Sequence, residues 1–144
     1  MELIYNKVFL EHDTGMHPES KKRLEVLGLR SGKVPNGENY LGLIHSKKYI
    51  KLVKEACKKG LALDMDTYVS EGSYGAALHA VGATVKASEI GGFAICRPPG
   101  HHAHRDSSGG FCVFNSLAIS VQKLVNEGKR VLIFDFDGHM GDGT

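Results

Sequence analysis

Two short apolar runs constrain this chain more than anything else in its 144 residues. Phe93-Ala94-Ile95-Cys96 is apolar on both alternating faces, and so, but for Asp135 near its end, is Val131–Phe136. That is the pattern of strands buried on both sides, which occur in parallel sheets with helices over both faces. Helical stretches stand where such crossovers need them. Ser73–Glu89 is rich in alanine and small apolar residues almost all round, which predicts a deeply buried helix. Asn115–Glu127 turns Leu117, Val121 and Leu124 to one face and closes at Gly128. The alternation predicts an α/β fold built on a parallel sheet.

The first half adds elements of the same kind. Leu3–Phe9 predicts a strand, His12–Gly15 a turn, and the stretch from Pro18 to about Leu29 a helix with Leu24 and Leu27 inward. Ser31–Asn39 is a loop. Ser46 is a good N-cap for a helix over Lys47–Lys59, with Tyr49, Ile50, Val53 and Cys57 on one face and Gly60 as its stop. Leu61–Ser70 is a loop. No internal repeat or low-complexity segment divides the chain, so 1–144 reads as one folding unit.

Composition excludes several functions. A net charge of +2 leaves no electrostatic footprint for direct nucleic-acid binding. No apolar run is long enough for a bilayer, so no membrane role is expected. Met1-Glu2-Leu3-Ile4-Tyr5 lacks the basic lead of a signal peptide. The separated thiols Cys57, Cys96 and Cys112 fit a reduced, cytoplasmic setting. Cys112 lies near a histidine cluster, but a free cysteine is more often a small buried residue than a nucleophile.

In open parallel sheets, ligands bind beyond the carboxyl ends of the strands. Each apolar run here is followed by a histidine- or aspartate-bearing loop, so two stretches distant in sequence are expected to meet at one edge. Asp135, Asp137 and His139 alternate along an extended segment and form one row. Asp137 and His139 are placed to grip one cation. Carboxylate and imidazole are the ligands of zinc when its task is to activate water, and three protein ligands are usual, so a third must come from elsewhere.

His101 and His102 follow the stiff turn Pro98-Pro99-Gly100. Asp135 and Asp142 are free to pair with them, and a carboxylate on the far nitrogen of an imidazole fixes its tautomer and raises its basicity. Two imidazoles tuned in this way fit a general base and an acid or electrostatic stabiliser. His104 and Arg105 read as loop surface, and His79 as a helix residue without a role. A His-His pair alone carries little weight. An Asp-x-Asp-x-His triplet at the same sheet edge turns the reading toward a metal hydrolase.

These residues resemble a known family. Arg97-Pro98-Pro99-Gly100-His101-His102-Ala103, Gly110-Phe111-Cys112-Val113-Phe114-Asn115 and Asp135-Phe136-Asp137-Gly138-His139 are similar to the core motifs of zinc-dependent histone deacetylases. The wider group takes in acetoin-utilisation proteins and acetylpolyamine amidohydrolases. His12–Glu19 resembles the opening motif, and Asp66–Tyr74 the loop at the substrate rim. The resemblance implies an amidohydrolase that removes acetyl groups from acetyl-lysine or acetylated amines such as polyamines.

By position it implies Asp137 and His139 as two of three zinc ligands, His102 as general base and His101 as its partner. It pairs Asp135 with His101 and Asp142 with His102. Phe111, beside Gly110, resembles a wall of the acyl tunnel, Asp66 a rim acceptor for substrate, and Arg23 an internal-channel arginine. Read without the resemblance, Phe111 is a core aromatic, Asp66 a turn residue and Arg23 a helix-surface charge. A potassium ion held by backbone carbonyls near Asp135, Asp137 and His139 is also implied. Met140 departs from the pattern, standing where many relatives carry a second histidine. A ureohydrolase of similar architecture would use two metals and more Asp and His ligands; the tandem His101-His102 and the Gly110-Phe111-Cys112 loop argue against it.

The implied fold is a three-layer, arginase-like arrangement of eight parallel strands, of which this chain would be the N-terminal half. The third zinc ligand, an aspartate, and a carbonyl-polarising tyrosine or histidine match nothing in 1–144. Strands equivalent to Phe93–Cys96 and Val131–Phe136 are not neighbours in that sheet, so this chain would expose apolar strand edges. The expectation is either part of a zinc deacetylase or a non-catalytic fragment or subunit that binds a C-terminal complement through those edges.

Overall fold

The computed structural model describes all of residues 1–144. It contains strand β1 (Leu3–Ile4), helix α1 (Lys22–Glu25), helix α2 (Lys47–Lys59), helix α3 (Ser73–Ile90), strand β2 (Phe93–Ala94) and helix α4 (Ser116–Asn126). Two 3-10 turns, Lys7–Glu11 and Glu38–Leu43, complete it. The strands pair in parallel, Leu3 with Phe93 and Ile4 with Ala94, as the α/β reading requires.

Helix α3 organises the chain. Its Ala77, Leu78, Val81 and Val85 join a core with Leu41, Tyr49, Val53, Phe114 and Ile119. On the other side its Ala80 and Ala83 meet Ile4, Tyr5, Phe9 and Leu24. Burial on two sides is why the helix shows no polar face. The Pro35–Gly37 loop approaches it closely: Gly37 N–H donates to Leu78 O at 2.9 Å. A Cβ on Gly82 would stand 2.0 Å from Pro35 O, so only glycine fits. Helix α2 follows the predicted signals, with Ser46 Oγ accepting from Tyr49 N–H at 3.1 Å and Gly60 closing it at φ +63°. No helix is long and apolar enough to cross a membrane.

Three predicted elements are corrected. The first strand stops at Ile4, because Asn6 Oδ1 accepts from Val8 N–H at 2.9 Å and caps a 3-10 turn. The helix predicted from Pro18 shrinks to Lys22–Glu25. The Glu19 carbonyl, which would accept the first helical bond from Arg23, is occupied by the Thr14 hydroxyl and by Arg97 Nη2–H. Arg23 N–H instead reaches Ser20 O at 3.1 Å. Val131–Phe136 is not a strand: no backbone hydrogen bond joins it to another segment. The pairing partner of β2 is β1, and nothing lies beside the later run. Leu132, Phe134 and Phe136 are consequently 92, 82 and 81% exposed.

Candidate active site

The loop after β2 and the segment 135–144 meet, as the two clusters predict. Asn115 holds the junction. Its Oδ1 caps α4 by accepting from Ala118 N–H at 3.0 Å. Its Nδ2 donates to Ala103 O at 3.3 Å and to Thr144 Oγ1 at 3.0 Å. Gly143 N–H adds a bond to His101 O at 2.9 Å. A buried group supports this from beneath: His45 Nε2 accepts from Asn115 N–H at 3.0 Å and Nδ1–H donates to His104 O at 2.9 Å. Those bonds fix its neutral tautomer, and burial holds its pKa below the ordinary histidine range.

The structure places Asp135 Oδ2 2.9 Å from His101 Nδ1 and Asp142 Oδ1 2.5 Å from His102 Nδ1. Both imidazoles therefore donate from Nδ1 to a carboxylate and leave Nε2 free. Their ring centroids are 4.1 Å apart. These bonds hold the carboxyls of Asp135 and Asp142 below the usual carboxylate range. His104, read as loop surface, contributes more than that: its Nε2–H donates to the second oxygen of Asp142 at 3.2 Å.

Asp137 Oδ1 accepts from His139 N–H at 2.8 Å and lies 3.2 Å from His139 Nδ1. The backbone bond lowers the Asp137 pKa. An oxygen and a nitrogen donor thus stand together, 6.1 Å between the rings of His139 and His102. The donor set suits zinc in kind and falls short in number, since no three His, Cys, Asp or Glu residues converge on one point.

One cavity of about 530 Å³ gathers Asp137 and His139 with His101 and His102, and is lined also by Gly110, Phe111 and Asp66. Asp66 shares a hydrogen bond with Asp64, which raises its pKa. Arg23 also lines this cavity, on an exposed side chain 3.6 Å from Glu19. Cys112 is fully buried, and burial pushes its thiol up to about 12, so it is no nucleophile.

Sequence reading passed over the buried ion network centred on Glu19, which itself lines the cavity. Arg97 Nε–H and Nη2–H donate to the two carboxylate oxygens of Glu19 at 2.5 and 2.7 Å. His12 Nε2–H reaches Glu19 Oε2 at 3.3 Å, and His12 Nδ1 shares a 2.7 Å hydrogen bond with the Ser73 hydroxyl. Burial alone would raise the Glu19 pKa, but the bonds from His12 and Arg97 overcome it and hold the carboxyl at about 2. Arg97 directly precedes the Pro98–His102 turn, so this network anchors the loop that carries both imidazoles. The signal was present as an arginine, a glutamate and a histidine inside two recognised motifs, but spacing gave no reason to pair them.

The family model of the histone deacetylase domain matches residues 16–144. The chain belongs to the histone deacetylase family. A probable deacetylase of Archaeoglobus fulgidus is 32% identical over 99% of this chain and 46% of its own length. The acetylpolyamine amidohydrolase of Mycoplana ramosa is 37% identical over 55% of this chain and 25% of its own. The crystal structure of the HDA15 HD domain superposes with a TM-score of 0.87 at 28% identity, covering 99% of this chain and 49% of that one. The fold is that of a histone deacetylase catalytic domain with its parallel sheet, and this chain spans about half the length of those two fuller matches.

Proposed function

We propose that this chain carries the water-activating half of a zinc-dependent amidohydrolase site acting on acetyl-lysine or acetylated polyamines. The observation that carries the reading is the shared cavity: the donor pair Asp137 and His139 opens onto the same space as two imidazoles each backed by a carboxylate. Asp137 and His139 would hold the zinc together with a donor from outside the chain. Bound there, zinc would supply Lewis-acid polarisation of water and of the acyl carbonyl.

The chain's own groups do the rest. His102, with Nδ1–H committed to Asp142, presents Nε2 to accept a proton from the attacking water. The water oxygen adds to the acyl carbon, the C–N bond breaks, and a proton passes to the departing amine. His101, with Asp135 behind it, stabilises the charge that develops or delivers that proton. Phe111 flanks the acyl chain, and Asp66 accepts hydrogen bonds from the substrate backbone or amine at the mouth. Titration of the chain with zinc in the presence of a complementary C-terminal half, followed by an acetyl-lysine peptide assay, tests the reading. Stoichiometric binding lost in His139→Ala and turnover lost in His102→Ala are expected. Unchanged turnover in His102→Ala would sink the assignment.

A second reading is favoured by the exposed Leu132, Phe134 and Phe136. In it the chain is a subunit that docks a complementary half through this face and turns over nothing alone. Zinc binding without turnover, restored by the complement, would select it.

A further inference from the structure

Phe111 is the one non-glycine residue here with its backbone in the left-handed region, at φ +70°. A bulky L-residue keeps that conformation only where its surroundings impose it. The imposing contacts come from the rim loop more than forty residues earlier in the chain. Phe111 N–H donates to Thr67 Oγ1 at 3.2 Å. Thr67 is itself fully buried, and its N–H donates to Asp64 Oδ1 at 2.8 Å. Its carbonyl accepts from Leu63 N–H at 2.9 Å, so the residue is pinned at both backbone ends. The other oxygen of Asp64 accepts the hydroxyl of Ser108, which lies in the same turn as Phe111. Cys112 N–H closes that turn on Gly109 O at 2.8 Å.

The two loops are thus stitched together twice, and the direction of the Phe111 ring follows. In its observed backbone conformation the ring stands edge-on to His17, centroids 4.5 Å apart, and forms a side of the cavity. Relaxation to negative φ would swing the ring off this wall. We propose that Thr67 is a positioning residue whose hydroxyl, anchored through Asp64, holds Phe111 as the cavity wall and so sets how tightly an acyl chain is gripped. The acyl chain as occupant rests on the amidohydrolase reading; the clamp itself does not.

Thr67→Val keeps the branched shape and removes the hydroxyl. Amide exchange at Phe111 should speed up about five- to tenfold in this variant, the factor expected for one net hydrogen bond. In the zinc-loaded protein joined with its complementary half, KM for an acetyl-lysine peptide should rise about threefold or more while kcat stays within about twofold. Thr67→Ser should restore both. Unchanged exchange at Phe111 would overturn the clamp, and faster exchange with unchanged KM would overturn its role in the wall. If the unsubstituted protein, joined with a complementary C-terminal half, shows no turnover, the amidohydrolase reading falls, and exchange alone still decides the clamp. If Thr67→Val does not fold, Ser108→Ala takes its place: it cuts the second stitch, and exchange at Phe111 no faster than in the parent would overturn the proposal.

Discussion

The α-carbon of Gly110 lies against the His102 imidazole so closely that a Cβ there would stand 2.4 Å from Cδ2. Gly110 also holds φ +50°, which an L side chain resists at a cost of roughly 1–2 kcal/mol. Gly110→Ala must therefore shift the ring, the backbone or both. Misplacement of a reacting group by about 1 Å costs about 100-fold in rate. On the amidohydrolase reading, the expected outcome is a loss of that size in kcat of the zinc-loaded assembly with its complementary half, with a melting temperature of this chain lower by only about 3–8 °C. Turnover close to the parent's would show that His102 does not need this position.

Asp142 is shared between His102 and His104, one oxygen to each. The bond to His102 sets which nitrogen faces the cavity, whereas His104 is half-exposed and its pair with Asp142 is screened by solvent. Loss of a carboxylate that orients an active imidazole costs about 10- to 100-fold. Asp142→Asn should lower turnover by that factor and alter the His102 tautomer seen by nitrogen NMR. His104→Ala should stay within about threefold. Equal effects of the two substitutions would contradict this division of roles.

The Glu19 carboxyl gives the fold a calculable acid sensitivity. Its pKa falls from 4.5 in the unfolded chain to about 2 in the folded one. The folded state therefore binds fewer protons. The stabilisation is complete above about pH 4.5 and is lost as pH falls toward 2, amounting to roughly 3 kcal/mol at neutral pH. His45 adds a loss at higher pH: its folded pKa is depressed, so stability declines as pH drops below its ordinary 6.5. Urea unfolding across acid pH should show both slopes in the parent. Glu19→Gln should remove the lower one and weaken the fold at neutral pH by about 3 kcal/mol or more, since Arg97 loses its buried partner. An identical lower slope in Glu19→Gln would show that another group titrates there.

What sequence reading captured was what local signals determine. Ser46 and Gly60 bracket α2, because caps and stops act within a turn. The meeting of the two His/Asp segments followed from a topological rule. What it did not reach depends on contacts distant in sequence. The helix expected from Pro18 is cut short by Arg97, 78 residues away from Glu19. Thr67 and Asp64 looked like loop polarity until Phe111 and Ser108 arrived beside them. Val131–Phe136 has every intrinsic property of a strand, but a strand is a relation between two segments, and the second is missing beside it.

That unpaired run leads to the last prediction. Leu132, Phe134 and Phe136 stand in solvent on a segment whose N–H and C=O groups have no backbone partner. Burying a phenylalanine is worth about 1.5–3 kcal/mol, and an open edge adds hydrogen bonds to any strand that arrives. The chain should therefore self-associate at micromolar concentration, visible by sedimentation velocity. Phe134→Ser with Phe136→Ser should raise the apparent dissociation constant about a hundredfold or more, given two such side chains. Neither residue takes part in the Asp142–His102 pair or the Glu19–Arg97 network, so thermal stability should change little. A parent chain that stays monomeric at about 50 µM, where contacts of this strength should dominate, would show that this face is covered in solution by some rearrangement of the chain itself.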